Sequence, residues 1–307
     1  MNIDRINTNS QIINVNNNVY NSVNNSSKIN NNQLKADSIE FSTKNNLRKK
    51  SRNIFDRAAA SFYKFIGLFP KKNKFSQHIR FEEAKTFDEA IEFGRQTFGI
   101  KKYKGFEKED LDVINWVNEG LVHVNNAAKG NISVPNEIEY KELDNSLSAA
   151  IGGFNSFIIN KKEVIAEKKL VADIFGENLN CKEAKRLAGH LMEAFSPSYM
   201  SVFADISHEM GHLQHFANIE DLFGSLVFLA DSKLKNIKIF RKLFVEKEAE
   251  EMQKVFDNSK DTAGKVSEYA KTSPLEFVAE CYSKMCDGIK LDDDVMKLYV
   301  QLGGVLL

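Results

Sequence analysis

His208-Glu209-Met210-Gly211-His212 is the stretch on which the rest of the chain turns. On an α-helix, positions i and i+4 share one face, about 5–6 Å apart. His208 and His212 can then aim both imidazoles at a single ion, a spacing that suits tetrahedral Zn²⁺. Glu209 stands one step round the helix, beside the place of a water on such an ion. A carboxylate there can take the proton as water attacks a carbonyl and return it to the leaving amine. Gly211 keeps the helix surface low at that point, at a cost of roughly 1 kcal/mol in helix propensity. The plain alternative is an amphipathic helix whose histidines are ordinary core or surface residues. A third ligand elsewhere in the chain would separate the two.

A catalytic zinc site takes three protein ligands and keeps a fourth position for water. One class of such sites places a His ten residues beyond the first, with Gly at the seventh; here those positions hold Asn218 and His215. His215 falls near the face of His208 and His212. A straight helix rarely aims three such imidazoles at one ion, so His215 is expected to support the site or lie at the surface. Better candidates occur in Ser267-Glu268-Tyr269-Ala270-Lys271-Thr272-Ser273-Pro274-Leu275-Glu276-Phe277-Val278-Ala279-Glu280. Ser273 reads as an N-cap and Pro274 as the first helical position. Glu276 and Glu280 then stack one turn apart, fit to serve as a ligand and as an acceptor for a ligand histidine's second N–H. Ser273-x-x-Glu276 is equally a capping box, with Glu276 reaching back to the cap amide. Spacing alone leaves both roles open for Glu276.

The motif HEMGH, followed downstream by Tyr269-x-x-x-x-x-x-Glu276-Phe277-x-Ala279-Glu280, resembles the anthrax lethal factor-like metallopeptidases, a family that includes the Pro-Pro endopeptidases. The likeness extends back through Glu89-Ala90, Phe93-Gly94 and Lys129-Gly130, over roughly residues 80–300. It implies a zinc site of His208, His212 and Glu276, with Glu209 as general base. It further implies that Tyr269 stabilises the oxyanion and Glu280 holds a ligand histidine. The chain departs from the family at Pro274, Val278 and Cys281-Tyr282. These positions concern packing more than chemistry, although Pro274 bears on the turn that holds Glu276.

Composition bounds the rest. The 307 residues suffice for one large domain or two, and 42% apolar content with 23 Phe predicts a globular body. Net charge is zero, which argues against bulk-charge binding of nucleic acid. The charge is uneven, however: residues 1–80 hold 14 Lys/Arg against 4 Asp/Glu, and residues 81–307 hold 28 against 38. An acidic body of this kind would favour basic substrate segments. Cys181, Cys281 and Cys286 are too few, and of odd number, for a disulfide framework, and no CxxC pair points to a metal. All three are expected to be reduced and mostly buried. Cys181 also lacks the glycine- or glutamine-flanked setting of a peptide deformylase ligand. No apolar run is long enough for a membrane span, and the start lacks the apolar core of a signal peptide.

Residues 1–50 contain 15 Asn and few apolar side chains, so they are expected to be a disordered leader. The composition is similar to that of type III secretion signals. Residues 51–77 form a basic linker whose helix, Asn53 to about Phe69, bears an apolar stripe of Phe55, Ala58, Ala59, Phe62, Phe65, Ile66 and Phe69. Flanked by basic clusters, residues 44–74 could touch an anionic membrane surface, although such a stripe more often docks on its own protein. Helices are predicted over Thr86–Phe98, with Thr86 as N-cap, over Glu107 to about Ala128, with Gly130 as stop, and over Cys181–Phe195. His123 lies on an apolar side and reads as a packed histidine. Short β-rich runs fall at Val134-Pro135, Ile138–Tyr140 and Phe154–Ile159. Phe154–Asn160 is the candidate edge strand, the kind that pairs with an extended substrate in zinc peptidases. The motif helix is expected from about Ser201 through Ala217, followed by helices near Ile219–Leu229 and Ser232–Phe256.

The expected fold class is α+β and mainly helical. Residues 78–307 would form a zincin-like metallopeptidase domain with a small β-sheet and an HExxH active-site helix. The expected function is a zinc-dependent endopeptidase of the gluzincin type, binding one Zn²⁺ and acting on a protein or peptide substrate. The setting implied by the leader and the resemblance is a bacterial effector or toxin, exported without a cleavable signal and acting in host cytosol. The alternatives are a catalytically inactive zincin-fold binding module and a housekeeping peptidase of the bacterial cytoplasm.

Overall fold

Among the described residues, a four-stranded mixed sheet is built between Lys102 and Asn160, and the segments after it are mainly helical. Residues 72–143, 149–152, 156–176, 179–195, 201–222 and 246–307 are described by the computed structural model, all within one unit, Arg52–Leu307. The leader over residues 1–50 and the linker helix Asn53–Phe69 lie outside the described residues.

Strands β2 (Lys102–Lys104), β4 (Glu137–Lys141), β5 (Ala149–Gly152) and β6 (Ser156–Asn160) make the sheet, in the order β2-β4-β6-β5. The first three neighbours in that order run parallel, and β5 is antiparallel to β6, pairing Ala150 with Ile158 and Ile151 with Phe157. This corrects the expected edge strand. Ser156–Asn160 is interior, and among the described strands Ala149–Gly152 is one edge, with Lys102–Lys104 the other. Phe157, Ile158 and Ile159 are all buried, and an apolar run covered on both faces belongs inside a sheet. A second, two-stranded pair joins β1 (Lys72–Lys74) antiparallel to β3 (Asn131–Ser133). The run Val134-Pro135 is therefore the connection after β3 and not a strand of its own.

Helix α1 (Phe87–Phe98) begins as its sequence predicts. Thr86 Oγ1 accepts from the Glu89 amide while the Glu89 carboxylate accepts from the Thr86 amide, a reciprocal capping box. Helix α2 (Leu111–Ala127) is the spine of the larger core, burying Val113, Trp116, Val117, Leu121, Val122 and Val124. Its asparagines clamp the extended segment that precedes α1. Asn126 accepts from the Ile79 amide and donates to the Ile79 carbonyl, and Asn115 does the same for Ala84. Each clamp replaces the two backbone bonds that a neighbouring strand would supply.

Helices α3 (Lys161–Phe175) and α4 (Cys181–Phe195) follow, the latter with the predicted bounds. The motif helix α5 runs Ala204–Leu222, so Ile219–Leu222 extend it; the remainder of the helix expected at Ile219–Leu229, and most of that expected at Ser232–Phe256, lie outside the described residues. Its start is fixed from three sides. Buried Lys185 of α4 pairs with Glu167 of α3 at 2.7 Å and with Asp205 of α5 at 2.8 Å. The same ammonium lies 4.8 Å from the centre of the Trp116 ring, and the Trp116 indole donates to the Val202 carbonyl. Burial works against charge on Lys185, but the two carboxylates outweigh it and keep the lysine protonated.

Helices α6 (Glu246–Asp257), α7 (Lys260–Gly264), α8 (Pro274–Cys286) and α9 (Asp293–Gln301) complete the described chain. They enclose a second core of Phe256, Phe277, Val278, Cys281, Leu298 and Tyr299. Helix α5 lies between the two cores: Ile206, Met210 and Leu213 belong to the first, and Phe216 packs on the second. An element covered on both sides has no need of a single apolar stripe. No helix among the described residues is long and apolar enough to cross a membrane.

Candidate metal centre

Helices α5 and α8 pack against each other and carry the site between them. Gly211 is the reason they can approach. A Cβ at Gly211 would lie 2.9 Å from Ala279 Cα and 3.1 Å from the Ala279 carbonyl oxygen. Those are backbone atoms, which cannot swing aside. Gly211 therefore makes room for the helix that bears Glu276 and Glu280, a larger role than lowering the surface beside an ion. Gly211→Ala is expected to push α5 and α8 apart, costing about 1–3 kcal/mol of overpacking against about 1 kcal/mol gained in helix propensity. Thermal unfolding should show a lower midpoint and zinc titration a weaker affinity; unchanged affinity would disprove the link between this contact and the site.

His208 and His212 sit one turn apart with ring centroids 4.9 Å from each other. Glu276 lies in the first turn of α8. Its Oε2 is 3.0 Å from His208 Nε2 and 3.4 Å from His212 Nε2. One ligand atom from each of the three residues falls within 4.8 Å of the others. Ligand atoms about 2.0–2.1 Å from a tetrahedral ion stand about 3.4 Å apart, so the spacing fits a small cation. His208, His212 and Glu276 thus form a group that could hold a metal ion.

The capping question is answered by the same atoms. Ser273 Oγ accepts from the Glu276 amide at 3.2 Å, and Pro274 follows at the first helical position. The Glu276 carboxylate, however, goes to the histidines, so only the serine half of the box is made. Behind His208, Glu280 Oε1 takes the Nδ1 side of the ring at 2.7 Å. With Nδ1–H donating there, Nε2 is the nitrogen that faces Glu276 and His212. His212 Nδ1 is buried without a hydrogen-bond partner among the described residues, and its ring stacks on Phe216 at 6.1 Å.

The electrostatics favour positive charge at this point. Burial opposes a charge on His208, yet its bonds to Glu276 and Glu280 raise its pKa to about 10. Burial likewise opposes ionisation of Glu276, and the two histidines overcome it, holding that carboxyl well below the ordinary carboxylate range. Glu209, 9% exposed, is pushed up by burial, with His212 and His208 pulling the other way. Tyr269 stands on the 3₁₀ turn Tyr269–Lys271, 44% exposed, its ring 5.7 Å from that of His208. Burial and the nearby Glu276 charge raise its pKa to about 12, so the phenol remains a donor.

His215 takes no part in the convergence. It is buried, with Nε2 2.8 Å from the Leu302 carbonyl, and burial lowers its pKa to about 4. It is a neutral core residue that fixes the end of the chain to α5, not a surface one. His123 is partly exposed, its Nε2 3.0 Å from Asp287 Oδ1 and its ring against Phe203. The three cysteines are free and buried. Two contacts had no sequence signal. Gln214 of α5 pairs with both the amide and the carbonyl of Ser133 in β3, and Ser267 Oγ donates to Glu280 Oε2 at 2.8 Å. No protein-family model, curated protein or solved structure matches the chain.

Proposed function

We propose that the chain is a zinc-dependent endopeptidase whose metal ligands are His208, His212 and Glu276. The observation that carries this is the meeting of His208 Nε2, His212 Nε2 and Glu276 Oε2, with a buried carboxylate, Glu209, next in sequence to the first ligand. Two imidazoles and one carboxylate are the donor set of catalytic zinc sites that keep an open position. Zinc held there would act as a Lewis acid and lower the pKa of its water to about 7.

The protein's own groups divide the remaining work. Glu209 takes the proton from the attacking water and returns it to the leaving amine. Tyr269, protonated and half-exposed beside His208, donates to the oxyanion, a contribution of about 3–4 kcal/mol for one well-placed donor. Glu280 holds His208 in the tautomer that ligation requires. The strand β5 runs beside α5, and its outer side, which pairs with no strand among the described residues, would offer the extended substrate a backbone partner. This assignment keeps the lethal factor-like resemblance and the zincin type as its model.

Purified protein should take up one zinc per chain and cleave members of a peptide library, with cleavage lost to a chelator and restored by zinc. Chelator-insensitive cleavage, or no zinc uptake, would rule the function out. The acidic body motivates the further expectation that cleaved members are enriched in Lys and Arg around the scissile bond; a profile without that enrichment removes it. The effector setting rests on the Asn-rich leader and the resemblance, and N-terminal sequencing of fragments from a treated host-cell lysate would identify the substrate.

A further inference from the structure

We propose that Ser267 is a positioning residue for the site, tying the carboxylate behind His208 to the turn that presents Tyr269. The inference rests on the metal-centre assignment above and assigns a residue that the motif itself does not contain.

The Ser267 hydroxyl makes two bonds of opposite sense. It donates to Glu280 Oε2 at 2.8 Å and accepts from the Ala270 amide at 2.9 Å. A serine hydroxyl has one proton to give, and here it goes to the carboxylate, while a lone pair takes the amide. Glu280 uses its other oxygen, Oε1, for His208 Nδ1 at 2.7 Å. The proton order is then fixed along one line: Ala270 N–H to Ser267, Ser267 O–H to Glu280, and His208 Nδ1–H to Glu280 from the other side. Each donor has one acceptor, and Nε2 of His208, 3.0 Å from Glu276 Oε2, is the nitrogen whose proton would leave and whose lone pair would face a metal.

The same hydroxyl sets the turn. Ala270 is buried and is the middle residue of the 3₁₀ turn Tyr269–Lys271. Capping its amide from Ser267 anchors the turn at the residue next to Tyr269. Thr272 closes the other end, its hydroxyl and amide both donating to the Tyr269 carbonyl. Ser267 therefore links three features from three segments: His208 of α5 through Glu280, the orientation of Glu280 on α8, and the position of Tyr269 on its turn. Outer partners of this kind usually change metal affinity or activity by about 10–100-fold when removed.

The test is zinc affinity measured by competition with a chromophoric chelator on the full chain, combined with a double-mutant cycle. Ser267→Ala should weaken zinc binding about 10-fold, Ser267→Thr, which keeps the hydroxyl, should restore most of it, and Ser267→Ala should add nothing in a Glu280→Gln background. On zinc-saturated protein, Ser267→Ala should lower kcat with KM unchanged, because Tyr269 acts only after substrate is bound. Unchanged affinity in Ser267→Ala, additive losses in the cycle, or a Thr variant as weak as Ala overturns the role of Ser267 while leaving the metal centre standing. A wild-type chain that binds no zinc overturns both.

Discussion

Glu209→Gln is expected to keep zinc at one per chain and to lower turnover by about 10²–10⁴-fold, the range that a positioned acid–base group supplies. The substitution is nearly isosteric, and Glu209 is not among the three residues whose ligand atoms converge, so the ligand set should survive it. What it removes is the carboxylate's ability to accept a proton. Burial pushes the Glu209 carboxyl upward from its ordinary value of 4.5, which makes it a stronger proton acceptor than a solvated carboxylate. An amide at the same place keeps shape and loses that function. The measurement is kcat on a cleaved peptide together with zinc content on the same preparation. Wild-type turnover in metal-verified Glu209→Gln would sink the proposed mechanism, whereas loss of zinc would reassign Glu209 to the support of the ligands.

Much of this site was legible because its determinants are local. The i, i+4 spacing of His208 and His212 needs only a helix, and the helix is there. Ser273 and Pro274 marked the start of α8, and Thr86 with Glu89 marked that of α1, because caps act within four residues. Contacts between distant segments left no such trace. Ser156–Asn160 lies inside the sheet and Ala149–Gly152 at its edge because of how far-separated strands pair, and the short run Ala149–Gly152 has no alternation that would announce a strand. Gly211 was legible as a low point on the helix, but its neighbour Ala279 lies sixty-eight positions on in the chain. The two asparagine clamps of α2 and the bond from Ser267 to Glu280 depend on backbone and side-chain partners that no periodicity encodes. His215 shared a face with His208 and His212 in sequence, yet the Leu302 carbonyl takes its Nε2.

Glu276→Ala is expected to abolish stoichiometric zinc binding, with Ser273→Ala as the variant that shows why. Zinc held by protein side chains is worth about 10–16 kcal/mol in small structural sites; divided among three or four donors, one ligand accounts for about 3–5 kcal/mol, or roughly 10²–10⁴-fold in affinity. Glu276 is the donor from outside α5, so its loss leaves two imidazoles on one helix and no group that closes the site from the far side. Truncating it also removes the charge that Tyr269 senses and the bond that engages His208 Nε2. Ser273 touches the same residue from the other side, through the Glu276 amide. Its replacement by Ala should cost about 1 kcal/mol of stability as an N-cap and leave zinc affinity within a few-fold, because the carboxylate does not return to the cap. Isothermal titration with zinc and thermal unfolding of both variants separate the two roles. If Ser273→Ala lost zinc as severely as Glu276→Ala, the first turn of α8 and not the carboxylate would be what the metal requires. If Glu276→Ala kept it, the pair of histidines would have found another partner, and the ligand set of His208, His212 and Glu276 would be wrong.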